Sequence, residues 1–154
     1  MRRSRGALAY IERKRFGRVE FLTQWNVGWR AYSLVGGHKR EAESFRQCLT
    51  REVGEELGLR EGLQFRATRE PLACLRYAAW SESADAETDY TLVIFGVRMI
   101  GAEAEFVESA DPENRWVTLD EIQVGLTCDG RRVSHTVDRI LAAVMEMMMA
   151  KAGR

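Results

Sequence analysis

Glu43, Glu52, Glu55 and Glu56 lie within one short stretch together with Arg51, and Gly36 and Gly37 precede them. Ser44-Phe45-Arg46-Gln47 has the form of a capping box, in which a hydroxyl and an amide satisfy two free N–H groups. Gly58 follows Leu57 as a helix-ending glycine would. This predicts a helix over 45–57. At about 100° per residue, Leu49, Val53 and Leu57 share one face with Phe45, and Cys48 flanks it. Glu52 and Glu56 fall inside that apolar face, with Glu55 at its edge. Arg46, Gln47, Thr50 and Gly54 make the polar side. Carboxylates normally occupy the solvent side of an amphipathic helix, and like charges four residues apart repel. Arg51 reaches Glu55 but does not neutralise all three. A solvated acidic face is one reading. The other is that a hard divalent cation, Mg²⁺ or Mn²⁺, joins the carboxylates, activates water and polarises a phosphoryl oxygen.

The spacing Gly37-x5-Glu43-x7-Arg51-Glu52-Val53-x-Glu55-Glu56-x-Gly58-Leu59 resembles a complete Nudix box of the MutT-like kind, with every specified position filled. The resemblance implies an α/β (α+β) fold, a mixed β-sheet sandwiched between helices, in one domain over 1–154. It also implies a hydrolase, a pyrophosphatase that cleaves a nucleoside diphosphate linked to another moiety and uses Mg²⁺ or Mn²⁺. By that analogy Glu52, Glu55 and Glu56 hold metal, with the Gly36 carbonyl as a further ligand. Arg51 orients a box glutamate. Glu43 stabilises the loop-helix geometry, and Gly37 lets the backbone turn tightly into the loop. Two positions depart from the pattern: Val35 stands where many members have proline, and Ala42 where a glycine often precedes the first glutamate. Both bear on loop shape rather than on the metal face.

The base lies outside the box in such proteins, at no fixed position. Glu108 is the first candidate; Glu82, Glu87 and Asp89 in the acidic stretch 81–89 are the second. Trp25, Trp29, Tyr32 and Tyr77, with Trp80, supply rings for stacking on a base, or else for core packing. Tyr77 lies eighteen residues after Leu59, near where dinucleoside-polyphosphate enzymes carry a tyrosine. Pro71 is not at the spacing of the ADP-ribose subgroup. Two alternatives stand beside the hydrolase: a non-catalytic module that senses a nucleotide or binds a partner, and an isoprenoid diphosphate isomerase, which needs a cysteine that neither Cys48 nor Cys74 supplies in a recognisable motif.

The elements that must position these residues follow from local pattern. Residues 7–14 and 18–25 are β-like, with Phe16-Gly17 as a hairpin turn between them. Ser33-Leu34-Val35 is a short strand running into the two glycines. Further β-like segments cover 63–68, 72–80 and 90–99, and 103–107 alternates weakly. An acidic loop at 108–114 precedes a strand at Arg115-Trp116-Val117. Thr118-Leu119-Asp120-Glu121 is a second capping box opening a short helix, and Asp129-Gly130 is a turn. A last helix covers about 134–150, its methionines filling core or making a homodimer contact.

Lys and Arg together equal Asp and Glu at 23 each, which argues against a general nucleic-acid binder. The basic start Met1-Arg2-Arg3-Ser4-Arg5 reads as a frayed, solvated end, because Glu12, Arg13 and Lys14 interrupt any apolar run a leader would need. No apolar run of membrane-spanning length occurs. The odd set Cys48, Cys74 and Cys128 suggests reduced thiols in the cytoplasm.

Overall fold

A computed structural model describes residues 1–102, 106–107 and 110–153. The strands are β1 (Arg2–Tyr10), β2 (Glu12–Arg15), β3 (Arg18–Asn26), β4 (Ala31–Leu34), β5 (Gly36–His38), β6 (Phe65–Ala67), β7 (Ala73–Ser81), β8 (Ala86–Met99) and β9 (Asn114–Thr118). The helices are α1 (Phe45–Leu57), α2 (Leu119–Val124) and α3 (His135–Ala152).

In the first sheet β1 lies parallel to β8 and antiparallel to β5, while β7 and β6 pair antiparallel with β8. In the second, β3 pairs antiparallel with β2, β4 and β9. Side chains alternate between two cores, as the period of a strand requires. Ala7, Ala9, Val93 and Phe95 pack with Leu49, Val53 and Leu57 of α1. Leu8, Leu92 and Ile94 pack with Ile122 of α2 and with Val137, Ile140 and Val144 of α3. The expected mixed sheet between helices is therefore the observed architecture.

Several local expectations hold. Phe16 and Gly17 both have positive φ (50° and 75°), the geometry of a two-residue hairpin loop. Ser44 and Gln47 form both bonds of their capping box, as do Thr118 and Glu121, and Gly58 closes α1 in the left-handed region. Four expectations are corrected. Residues 1–5 are not a frayed end: β1 begins at Arg2 and runs beside β8, from Arg2 against Thr88 to Tyr10 against Gly96. The stretch 81–89 is not one long loop, since Ser81 pairs with Ala86 across a tight turn and Glu87, Thr88 and Asp89 belong to β8. Of the weak strand expected over 103–107, the described residues Phe106 and Val107 are helical. The methionines of α3 do not fill core: Met145, Met147, Met148 and Met149 are exposed. Among the described residues no helix is long and apolar enough to cross a membrane.

Candidate metal and phosphate site

Helix α1 presents its carboxylates from a backbone fixed at both ends. At the N-terminal side, Gln47 N–H donates to Ser44 Oγ at 3.1 Å and Ser44 N–H to Gln47 Oε1 at 2.8 Å. At the other end Gly58 N–H donates to the Gly54 carbonyl at 3.0 Å. Cys48, Leu49, Val53 and Leu57 bury the inner face.

Arg51 is the hub. Its Nη2 donates to Glu43 Oε1 at 2.7 Å and its Nε to Glu43 Oε2 at 3.0 Å, a two-pronged pair. Its Nη1 donates to Glu52 at 2.8 Å and to Glu55 at 3.3 Å, and its Nη2 also reaches the His38 carbonyl at 3.0 Å. The guanidinium, with a bond from the Arg40 N–H, pulls the Glu43 carboxyl down to a pKa of about 2. Glu43 thus ties the loop before α1 to the helix itself.

Glu52 is buried with 9% of its surface exposed. Glu56 is exposed, a correction to its angular position, although Leu57 beside it and Leu59 beyond remain buried in the core. Its carboxyl pKa is nevertheless raised, first by partial desolvation and then by the charges of Glu52, Glu55 and Asp111; a bond from the Gln24 side chain opposes this. Asp111 and Gln24 were not singled out in the sequence. They reach α1 from distant strands and loops, and only the position of Asp111 within the acidic stretch 108–114 hinted at it.

Gly37 matters for a different reason from the one expected. Its φ is not in the left-handed region; instead a Cβ there would lie 2.6 Å from Glu52 Oε1. The missing side chain leaves a cradle that the Glu52 carboxylate fills. At Gly36, with φ 155°, a Cβ would lie 2.1 Å from the Ala7 carbonyl oxygen.

The donor chemistry fits a hard divalent ion: three carboxylates on one helix, one resting on a bare backbone and one kept short of countercharge. Among the described residues no three acidic, histidine or cysteine side chains already surround a common point. Arg51 instead holds Glu52 and Glu55, whose carboxylates would turn to share an ion with Glu56. Mg²⁺ retains several waters and does not need a closed protein cage.

The other candidates fall in several places. Glu108 lies outside the described residues. Asp89 pairs with Arg3, whereas Ala7, four residues further along β1, pairs with Gly37; Glu82 and Glu87 lie further still toward the hairpin end. Trp29 and Tyr77 line one cavity of about 300 Å³ together with Tyr90, Trp80, Arg132 and Arg139. Tyr77 stacks on Tyr90 with ring centroids 5.2 Å apart, and Arg139 lies 5.1 Å from its centroid. Tyr32 is corrected from a stacking wall to a core residue, 2% exposed, whose hydroxyl accepts a bond from Arg131 at 2.7 Å. Trp25 packs edge-on against it and carries Arg131 over its ring at 4.2 Å, so that face is taken. Cys48 is fully buried and its thiol pKa is pushed to about 11, chiefly by burial, which leaves it no nucleophile at neutral pH.

The whole fold has solved counterparts. NrtR from Shewanella oneidensis, determined with a 27mer DNA, superposes with a TM-score of 0.67 at 14% identity, covering 96% of this chain and 63% of NrtR. This chain thus spans less than two thirds of NrtR. The C. elegans Ap4A hydrolase gives a TM-score of 0.55 at 17% identity, covering 99% of both chains. A UDP-X diphosphatase gives 0.61 at 13% identity, over 98% of this chain and 65% of that one. At such identities these likenesses show the fold alone. No curated protein sequence matches the chain. The family model of the NUDIX domain, however, matches residues 2–136, nearly the whole length, and the chain belongs to the NUDIX family.

Proposed function

We propose that this chain is a divalent-metal-dependent hydrolase that cleaves the diphosphate of a nucleoside diphosphate linked to another moiety. The observation that carries the proposal is the α1 carboxylate set, with Glu52 seated on Gly37 and Glu56 short of countercharge. Glu52, Glu55 and Glu56 would hold Mg²⁺ or Mn²⁺, with the Gly36 carbonyl as a further donor. A cation bound there supplies Lewis-acid polarisation of the phosphoryl oxygens and lowers the pKa of water. Arg51 is a positioning residue: through its bonds it sets Glu52 and Glu55 relative to the loop held by Glu43.

In the reaction a water oxygen bonds to phosphorus, the anhydride P–O bond breaks, and the water's proton passes to a carboxylate. Glu108 and Glu55 are the proposed acceptors. Asp111, whose charge already acts on Glu56, belongs to the same acidic segment. The ring of Trp29 supplies the wall for a base, with the Arg132 and Arg139 guanidiniums in the same cavity, while Tyr77 is already engaged by Tyr90 and Arg139. The likenesses to the Ap4A hydrolase and the UDP-X diphosphatase support a substrate with a diphosphate inside a larger molecule.

The test is a panel of nucleoside diphosphate derivatives with Mg²⁺ and with Mn²⁺, read by product mass. Turnover that requires the ion and falls by about 100-fold or more in Glu56→Gln is expected. Full turnover in Glu56→Gln would sink the assignment. The likeness to NrtR, determined with a 27mer DNA, favours one second reading, a non-catalytic module that senses a nucleotide or binds a partner. That reading is supported if panel members bind but no product forms with either ion.

A further inference from the structure

Beyond the metal face, one pair of charges stands where strand pairing disfavours it. Arg66 of β6 sits directly opposite Arg98 of β8. Like charges directly opposite each other repel, and neither guanidinium has an ion pair or hydrogen bond among the described residues. Both line a cavity of about 670 Å³. Its apolar wall includes Leu72 and the ring of Tyr10, which packs edge-on against Phe21 at 5.5 Å. Among the described residues Glu12 is the one carboxylate in the lining, and it accepts a bond from the Tyr10 hydroxyl at 2.9 Å. Gly96 pairs with Tyr10 and is kept small because a Cβ would meet Thr68 at 3.0 Å and Leu72 at 3.2 Å.

This groove contains none of the α1 carboxylates and none of the rings lining the Trp29 and Tyr77 cavity. The geometry points to a second ligand site, for a small organic anion. Its phosphate or carboxylate head bridges Arg66 and Arg98, and its apolar body lies against Leu72 and Tyr10. Two guanidinium forks suit a bidentate oxyanion, which turns the cross-strand repulsion into binding energy. The apolar wall then distinguishes an organic anion from a bare one. The inference is independent of hydrolysis, because it uses no residue of the box.

The test is a ¹H–¹⁵N spectral titration of the full chain with phenyl phosphate, with inorganic phosphate and phenol as head-only and body-only probes. The Gly96 amide, which donates to Thr68 Oγ1 at 3.2 Å, is the local reporter. Saturable shifts around Gly96 and Arg98, with phenyl phosphate about tenfold tighter than either partial probe, are expected. Arg66→Gln and Arg98→Gln should each weaken binding about tenfold or more and, without ligand, melt no lower than wild type. Glu56→Gln should bind phenyl phosphate as wild type does, which separates this site from the proposed reaction. Equal binding of inorganic and phenyl phosphate, unchanged binding in both arginine variants, or a lower melting temperature of the unliganded variants would each overturn the proposal.

Discussion

Single residues here owe their identity to contacts that local pattern does not display. Gly37 is such a case: the box spacing marked it, but the reason is the Glu52 carboxyl 2.6 Å from where a Cβ would stand. Gly37→Ala should therefore displace Glu52 and with it the bond to Arg51. Activity should fall by at least about tenfold while the fold survives, as checked by turnover beside circular dichroism. An active Gly37→Ala would show that Glu52 has room to move without consequence. Asp129 gives a residue-scale prediction away from the box. Arg115 first, then Thr127, hold its carboxyl at a pKa of about 2, below its ordinary 3.8. A carboxylate with a depressed folded pKa stabilises above its unfolded pKa and loses that contribution as pH falls through the folded one. Asp129→Asn should thus lower thermal stability at neutral pH. The difference from wild type should shrink from about pH 4 and vanish near pH 2. A difference constant across that range would contradict the pairing.

At the scale of elements, legibility followed the kind of signal. Helix α1 spans 45–57 as predicted because its two ends are written in local chemistry, Ser44 with Gln47 and then Gly58. Truncating the cap, Ser44→Ala, should cost about 1 kcal/mol in chemical denaturation. A cost near zero would mean that packing alone sets the helix start. The last helix ran two residues beyond expectation, as frayed ends commonly do. Strand β1 was half missed for a physical reason: it is built by parallel pairing with a strand more than 80 residues away, and no local alternation reveals that. Its charged start therefore looked solvated. The burial of Tyr32, the core reading of the two offered by its sequence, has a similar cause. Of three aromatics close in sequence, Trp25 and Tyr32 pair across β3 and β4 and pack edge-on, while Trp29 follows a turn closed by its N–H bond to Asn26.

The whole molecule assembles what the chain separates. Gln24 of β3 and Asp111 of the loop before β9 act on Glu56 of α1, and the box alone shows only the last. Their action makes metal binding and stability a single experiment. Without a divalent ion, partial desolvation and then the negative charges around Glu56 raise its pKa. A group with a raised folded pKa stabilises below its unfolded pKa and loses that contribution as pH rises through the folded one. At neutral pH, Glu56→Gln removes the repulsion and should melt higher than wild type in chelator. Mg²⁺ or Mn²⁺ reverses the order. A ligand at 100 times its Kd adds about 2.7 kcal/mol. For a chain of this size that is about 5–10 °C in Tm for wild type, whereas the variant should respond little. Differential scanning calorimetry with and without ion would show the crossing. If wild type and Glu56→Gln rose together, the cation would be bound elsewhere, and the carboxylate face of α1 would be a charged surface rather than a metal site.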